Sequence, residues 1–337
     1  MIWHEIKESS TRVANFVIGR IDTGQFTTAD VQTIKQENLD WVRFMQVPGG
    51  ATLYLNFLGQ QYQTDHPAHL PDAEDNVRVP LGENPYDCTV AYVSCDRDLE
   101  SEEWEKARQV RLALSLAIDR QKLLNNLAFG EGEPWFVQWW LGHSFRLKQF
   151  GLDELSWDYD PDQARAILAE VAPDGIEIDL ALSEGFFPGV IPVLEAVGTM
   201  WEGVGVTTKG FIQPYSAYRP SLVNRTAKAV FPLGDNPGLS PLPAYDLFFN
   251  PTSGLNLGFE HPWFTEKLEE AGSTLDDDAR WAILAEMARW MFDNVMVMPL
   301  YRQATVAPVG SAIDTWTLQA LGSNLLNNYE YVKHREQ

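Results

Sequence analysis

The residues best suited to bind a metal ion are two histidines in a polar stretch of the chain. His66 and His69 are three positions apart, and Asp65 and Asp72 flank them. Imidazole nitrogens and carboxylate oxygens are common ligands of zinc. The surrounding region, 60–85, contains several prolines and is predicted to be a long surface loop, where histidines are usually plain surface residues. The sequence therefore predicts no metal site and no bound cofactor.

Cys88 and Cys95 are the only cysteines in the chain. They could close a small loop as a disulfide in an oxidising compartment. They could also be two separate buried thiols, because free cysteine is among the most buried residue types. The second interpretation is favoured here, and it leaves the compartment open.

Motifs of a catalytic or nucleotide-binding centre are missing from the sequence, including G-x-S-x-G, the P-loop and H-E-x-x-H. Carboxylates are abundant, so no pair of them stands out as acid and base. One carboxylate does have a distinctive position, because Asp235 follows AKAVFPLG, which is predicted to be a strand. Ligands of open α/β sheets bind at the carboxyl ends of strands. Asp235 is therefore a candidate ligand-binding residue, and the alternative is an Asx turn that only caps the loop.

The composition limits the class of protein. The chain has 337 residues, 45% of them hydrophobic and 12% aromatic, and a formal net charge of −22. Such a composition is typical of a folded globular protein with one large α/β body or two lobes. The negative charge argues against binding nucleic acid or anionic lipid, because both need a basic surface.

Helices and strands alternate along much of the chain. The segments IEIDLAL, GVTTKGFIQ and AKAVFPL are predicted strands, and a predicted helix, 188–202, separates the first two. This alternation predicts a largely parallel sheet covered by helices.

A charged pair, Asp119-Arg120, interrupts an apolar helical pattern. Asp119 is predicted to end one helix and to cap the next by accepting the free N–H of Gln121 or Lys122. Gly130 should end the second helix. The alternative is one continuous helix with both charges facing water.

The chain resembles family 5 of the extracellular solute-binding proteins of ABC transporters, which serve oligopeptides, dipeptides and nickel. The ordered blocks that carry the resemblance are STRVANFVIGRIDT, VRLALSLAIDRQKLL with GEGEP, YDPDQARAILAEVAPDG, TMWEGVGVTTK and MPLYR. Family members are usually longer, and the part without a counterpart is the signal or lipoprotein peptide and roughly the first half of the first lobe.

The resemblance implies an α/β fold of the periplasmic-binding-protein type II, a clamshell of two lobes. It implies one nearly complete lobe, 51–304, and a C-terminal remnant of the other lobe formed by 1–50 and 305–337. The chain is thus expected to be an N-terminally truncated member that crosses between lobes near Pro48-Gly49-Gly50 and again near residues 302–305.

The resemblance also implies where the ligand binds. In dipeptide and oligopeptide members, an aspartate at the place of Asp235 pairs with the free α-amino group of the peptide, and the neighbouring backbone pairs with the peptide as an added strand. Pro232 removes one backbone donor from that edge, which weakens the case for a peptide. Trp139 and Trp140 cannot both face a ligand if their segment is extended, so one should be core and the other cleft wall. The predicted ligand-binding residues are Phe231, Leu233, Gly234, Asp235, Asn236, Tyr54, Trp139, Trp140 and, as a substitute cation, Arg219.

The function implied is that of a solute-binding component of an ABC importer, with no catalysis. It would bind a peptide or a similar polar, amine-bearing solute, act as a monomer in its full-length form, and deliver the solute to permease subunits in the membrane. The expected location is the periplasm or the cell exterior, with a lipoprotein anchor as one option. The alternatives are a cytoplasmic ligand-sensing domain of the same fold and, with less support, an unrecognised hydrolase.

Overall fold

The protein is built around a six-stranded sheet, which a computed structural model defines together with its covering helices. The model describes residues 4–6, 8–24, 26–47, 52–60, 88–138, 140, 144–184, 190–223, 226–235, 240–253, 258–316 and 332–335. The described strands are β1 (Arg43–Val47), β2 (Thr52–Phe57), β3 (Gly132–Pro134), β4 (Ile176–Glu184), β5 (Val206–Pro214), β6 (Val230–Asp235), β7 (Val297–Gln303), β8 (Thr305–Val309), β9 (Ile313–Thr315) and β10 (Lys333–His334).

The described helices are α1 (Ser9–Val17), α2 (Thr28–Gln36), α3 (Glu102–Leu116), α4 (Arg120–Leu127), α5 (Ser144–Gln149), α6 (Pro161–Val171), α7 (Val190–Glu202), α8 (Tyr215–Val223), α9 (Leu242–Phe249), α10 (Pro262–Ser273) and α11 (Asp277–Asp293). All of them except α1 and α2 pack on one or the other face of this sheet. In the described part of the chain, no helix has both the length and the apolar character that a membrane crossing requires.

The strand order of the large sheet is β3-β7-β2-β6-β4-β5. β4 pairs in parallel with β5 and with β6, whereas β2 pairs antiparallel with both β6 and β7, and β3 pairs antiparallel with β7. The prediction of a largely parallel sheet is therefore wrong, and the sheet is mixed. The alternation of strands and helices holds only for β4, β5 and β6, and β2 enters the centre of the sheet in the opposite direction.

Four strands end at one edge of this sheet. β4, β5, β6 and β7 run in the same direction, and β2 begins where they end. β1 and β8 form a separate two-stranded ribbon, in which Val47 pairs with Thr305. The chain therefore passes between the ribbon and the sheet twice, at residues 48–51 and at Ala304. We call this edge of the six-stranded sheet the crossing edge.

The two faces of the large sheet pack against two different groups of helices. Leu53, Leu55 and Phe57 of β2 are buried among α3, α4, α6 and α7, whereas Tyr54 is buried on the opposite face. This alternation follows from the two-residue repeat of a strand. Burial on both faces explains why β2 is apolar at successive positions instead of alternating with polar residues.

The ribbon packs on α2 through β8, and α1 packs on α2. Phe16 of α1 is fully buried, with its ring 5.3 Å from that of Phe26 and 5.5 Å from that of Trp41. Ala307 and Val309 of β8 lie in a small cluster with Ile313. The division into lobes at 50 and 305 coincides with the two passages between sheets, and as a statement about domains it stays a prediction.

The charged pair in the helical segment lies at a corner between two helices, as predicted. α3 ends at Leu116 and α4 begins at Arg120, and the carboxylate of Asp119 accepts the N–H of Lys122 at 2.8 Å. Arg120 is 4% exposed, and its guanidinium donates to the carbonyl of Pro299 and to the carbonyl and hydroxyl oxygens of Ser115. The continuous-helix alternative is therefore wrong, because the second charge of the pair is buried.

Cys88 and Cys95 are paired as a disulfide, with their α-carbons 5.5 Å apart. Neither residue is buried, so the interpretation as two buried thiols is wrong. The loop that they close contains Tyr92, whose hydroxyl oxygen lies 2.6 Å from the carbonyl oxygen of Lys228, to which it donates, and 3.1 Å from that of Leu58. The disulfide thus constrains a segment that is packed directly against the start of β6.

Candidate ligand-binding site

A row of residues crosses four strands at the crossing edge. Asp235 of β6 is opposite Thr52 of β2, Thr52 is opposite Arg302 of β7, and Arg302 is opposite Glu133 of β3. Neighbouring strands are about 4.8 Å apart, so the backbone positions of Asp235 and Arg302 are separated by roughly 10 Å. The row thus places a carboxylate-bearing and a guanidinium-bearing residue on the edge that faces the ribbon.

The pairing of two parallel strands ends before it reaches this row. β4 follows β5 to the last residue, from Ile176–Val206 to Glu184–Pro214. With β6, in contrast, β4 is in register only at Leu180 and Val230. Toward the crossing edge β6 stays paired with β2 as far as Asp235, whereas its pairing with β4 does not extend beyond Val230, and Pro232, which has no N–H to donate, lies in this part of β6. Sheets of α/β proteins bind ligands outside the carboxyl ends of their strands.

Arg302 is held in one orientation by two neighbours. Its Nε and Nη2 both donate to Oε1 of Glu133, and its guanidinium lies 4.0 Å from the ring centroid of Trp135. The side chain of Arg302 is 19% exposed, against 53% for Glu133. The next residue towards the core, Tyr301, is 5% exposed, and burial raises the pKa of its phenol. On the side nearer the core, the row of four residues is therefore bordered by the uncharged phenol of Tyr301.

The turn after α4 connects the large sheet with the ribbon. The carboxylate of Glu131 accepts from the ammonium of Lys35 on α2 and from the amide of Gln46 on β1, and its carbonyl accepts the N–H of Ala304 at 3.1 Å. A β-carbon at Gly132 would lie 2.1 Å from the carbonyl oxygen of Arg302. Only glycine permits this close approach of the turn to β7.

Several predicted ligand-binding residues are buried in the core. The exposed fractions of Tyr54, Trp140, Phe231 and Leu233 are 1% or less. Trp140 donates its indole N–H to the hydroxyl of Tyr245 at 2.9 Å. The backbone of Phe231 and Leu233 pairs with β2. A ligand contact from any of these four side chains stays a prediction, because in this conformation they pack against other parts of the protein.

The remaining predicted residues are either only partly described or distant from the row. Asn236 and Trp139, like His66 and His69, lie outside the described residues, and for Asp235 the backbone alone is described. Gly234 is opposite Leu53 in the β2–β6 pairing. Arg219 is exposed on α8. The structure thus brings Asp235 close to Thr52 and Arg302, and it does not bring Arg219 into this row.

Sequence reasoning missed Arg302 and Glu133. Both belong to segments that carried the family resemblance, MPLYR and GEGEP. The signal in the sequence that could have indicated Arg302 was a single arginine at the end of an apolar predicted strand. Its partner Glu133 is 169 positions away along the chain, so the pair could not be recognised from spacing.

Among the described residues, one cluster has the composition of a metal site. The sulfurs of Cys88 and Cys95 and the carboxylate of Glu103 lie within 4.8 Å of one another. Metal binding needs thiolates, and both sulfurs are used in the disulfide. The carboxylate of Glu103 accepts the backbone N–H groups of Cys95 and Asp96. These residues therefore fit a structural role better than metal binding.

A cavity of about 400 Å³ lies under α8, against β5 and away from the row. Asp179, Phe211 and Tyr218 are among its lining residues. Tyr218 is 5% exposed, and burial together with the negative charge of Asp179 raises the pKa of its phenol. Because the phenolic oxygen is itself shielded from solvent, the cavity presents a mainly apolar wall there.

Comparisons with known proteins identify the family. The model of the bacterial extracellular solute-binding proteins, family 5 Middle, matches residues 1–256. None of the curated proteins compared with this chain matches its sequence.

Solved structures share the fold over almost the whole chain. The periplasmic binding protein DppA of Helicobacter pylori, in complex with the peptide STSA, is 14% identical with a TM-score of 0.66, and the match covers 98% of this chain and 56% of that one. The substrate-binding protein CtaP of Listeria monocytogenes is 15% identical with a TM-score of 0.72, at 98% and 59% coverage. NikZ of Campylobacter jejuni, in complex with Ni(L-His), is 16% identical with a TM-score of 0.66, at 97% and 60% coverage.

The chain thus spans less than two thirds of the length of these structures, and at such identities the likeness shows the fold alone. It confirms the α/β fold of the periplasmic-binding-protein type. The match of the family model extends over three quarters of the chain and confirms the resemblance found in the sequence. The chain belongs to the bacterial extracellular solute-binding proteins of family 5.

Proposed function

We propose that the chain is the solute-binding component of an ABC importer, and that it binds a short peptide or a similar polar, amine-bearing solute at the crossing edge. The solute would lie between the six-stranded sheet and the β1–β8 ribbon. The protein would perform no chemistry on it and would deliver it to permease subunits in the membrane.

The observation that carries this proposal is that the pairing of β6 with β4 ends at Val230, before β6 reaches Asp235 at its carboxyl end. An extended peptide can add to a strand whose backbone groups are not all paired, and its main chain then bonds to protein backbone. A carboxylate at the end of that strand suits the α-ammonium group of a peptide, because a charge-assisted hydrogen bond is strong where water is largely excluded.

The relatives of known structure support a peptide and offer one competing ligand. The H. pylori protein was solved with a peptide and the C. jejuni protein with a nickel–histidine complex. The described residues contain no group with the composition of a metal site apart from the disulfide cluster, which favours the peptide. Nickel–histidine is therefore the second candidate ligand.

The disulfide supports a location outside the cytoplasm. Cys88 and Cys95 are partly accessible, and in a reducing compartment such a pair would be kept as thiols. This argues against the alternative of a cytoplasmic sensor. The alternative of a hydrolase has no support from the row at the crossing edge, which offers no nucleophile next to a base.

Peptide binding to the purified chain, measured by calorimetry, tests the proposal. Tri-alanine should bind, and N-acetylation of the peptide should weaken binding because it removes the ammonium group. Asp235→Asn should weaken tri-alanine binding by roughly 10- to 100-fold, the usual effect of a hydrogen bond to a charged group. Asp153→Asn, at an exposed position in the loop before α6, is the matched control and should bind as the unchanged protein does.

Two results would contradict the proposal. One is binding of nickel–histidine with no measurable binding of any peptide. The other is equal affinity for tri-alanine and its N-acetylated form, which would mean that no carboxylate recognises the ammonium group.

A further inference from the structure

The cavity under α8 is separate from the crossing edge. Its volume is about 400 Å³, and its wall includes Asp179 of β4, Phe211 of β5, Tyr218 of α8 and Ala229, the residue before β6. Ala229 precedes Asp235 by six positions, which is roughly 20 Å along an extended strand. Cavities of this size hold small organic molecules. A small ligand bound here would therefore lie away from Asp235.

Aromatic rings and small side chains form the apolar part of this wall. Phe211 is half-buried, and its ring centroid lies 5.8 Å from that of Tyr218 at an angle of 56°. Tyr218 in turn stacks on Phe231, which holds its ring against the sheet. Three alanines also line the cavity, Ala217, Ala227 and Ala229. The ring of Phe211 is thus open to a ligand, and the face of an aromatic ring attracts cations.

Asp179 brings one carboxylate to the same cavity. It is exposed, and among the described residues it has no hydrogen bond and no ion pair. Lys209, which is opposite Asp179 in the β4–β5 pairing, donates instead to Glu177 at 2.6 Å. Phe211 is opposite Ala181, so Asp179 and Phe211 share one face of the sheet with roughly 8 Å between their backbone positions. A positively charged group between them can face the carboxylate and the ring at once.

The one charge that opposes a cation in this wall is that of Lys228. A β-carbon at Gly59, which is outside the wall, would lie 3.7 Å from Cγ of Lys228, so the stem of this side chain runs along the end of β2. The net charge of −22 attracts cations to the protein as a whole.

We propose that the cavity under α8 is a second binding site, for a small organic ammonium ion whose apolar groups pack on Phe211 and whose charge faces Asp179. This site does not depend on the peptide site proposed at the crossing edge.

The test compares choline with the neutral alcohol of the same shape, in which carbon replaces the quaternary nitrogen. In calorimetric titrations of the whole chain, choline should bind roughly 10-fold or more tightly than the alcohol, because only the cation is attracted by the carboxylate and by the ring. Asp179→Asn and Phe211→Leu should each weaken choline binding by roughly 3- to 10-fold and change binding of the alcohol much less. Lys228→Gln should strengthen choline binding, since it removes the opposing charge.

Matched controls make the same changes outside the wall of the cavity. Asp153→Asn and Phe145→Leu, both at exposed positions, should bind choline as the unchanged protein does. Absence of choline binding, or equal affinities for choline and the alcohol, overturns the inference. Competition between choline and tri-alanine also overturns it, because the ammonium ion would then lie at the crossing edge. A failure of tri-alanine to bind contradicts the proposed function alone and leaves this second site standing.

Discussion

Two arginines, each packed on an aromatic ring, occupy regions of opposite character. Trp135 lies on Arg302 at the crossing edge, and the next residue, Phe136, lies 5.1 Å from the guanidinium of Arg120 in the corner between α3 and α4. Consecutive residues of an extended segment point in opposite directions, so one short segment contacts both arginines.

The difference between the two arginines lies in their partners. Arg120 is almost fully buried and donates to three neutral oxygens, and burial lowers its pKa to about 9. Arg302 is partly exposed, and among the described residues its guanidinium bonds to one carboxylate, that of Glu133. A buried cation needs every donor satisfied, whereas a cation at an edge can reserve donors for a ligand. We therefore expect substitutions in the corner between α3 and α4 to lower the free energy of unfolding, and substitutions at the crossing edge to change ligand binding.

The largest expected effect comes from Arg120→Ala. The variant loses three hydrogen bonds and the packing of a long buried side chain, so the free energy of unfolding should fall by about 3–5 kcal/mol. Arg302→Ala should cost about 1 kcal/mol or less, as for other accessible ion pairs. Urea denaturation of both variants measures the contrast. Equal losses of stability would show that the corner and the edge do not differ as described.

The second-largest effect on stability is expected at His261, a buried histidine on the face of the large sheet opposite to Arg120. His261 is 4% exposed, its Nδ1 accepts the N–H of Trp263, and burial lowers its pKa from 6.5 to about 4. The folded state therefore binds fewer protons than the unfolded state between pH 6.5 and 4, so stability falls as the pH falls through this range. The loss should approach about 3 kcal/mol.

His261→Asn isolates this effect because asparagine can still cap α10. Denaturation at several pH values should show a shallower loss of stability in the variant than in the unchanged protein. Parallel curves for the two proteins would mean that His261 already accepts a proton in the folded state.

A smaller effect is expected at the start of α4. Asp119→Ala removes the acceptor of the Lys122 N–H and should lower the free energy of unfolding by about 1 kcal/mol. Asp119→Asn, which keeps the acceptor, serves as its control. Thermal denaturation should rank the asparagine variant above the alanine variant, and the reverse order would show that a side-chain acceptor at position 119 does not stabilise the start of α4.

The smallest effect on stability should come from the contact between the large sheet and the ribbon. Lys35→Met removes the ion pair with Glu131, whose side chains are 32% and 18% exposed, and should cost no more than about 1 kcal/mol. The distance between spin labels on α2 and α6 should become more variable, because this ion pair links α2 to the turn that is bonded to the large sheet. An unchanged distance distribution would show that the backbone alone fixes the ribbon.

The sequence determined the features that depend on neighbouring residues. The cap at Asp119, the end of α3 and the start of α4 follow from hydrogen bonds within three or four residues, and such local preferences are visible in the order of amino acids. The position of Asp235 at the end of β6 also follows from the apolar run before it. The ordered blocks were sufficient to predict the family.

Only the tertiary structure decided what depends on contacts between distant segments. The antiparallel entry of β2 made the sheet mixed, the packing of the 88–95 loop brought two cysteines together, and the pairing of β3 with β7 placed Glu133 on Arg302. None of these contacts is favoured by local backbone preferences. They form because burial of both faces of the large sheet fixes which strands are neighbours, and that choice is made by the whole chain at once.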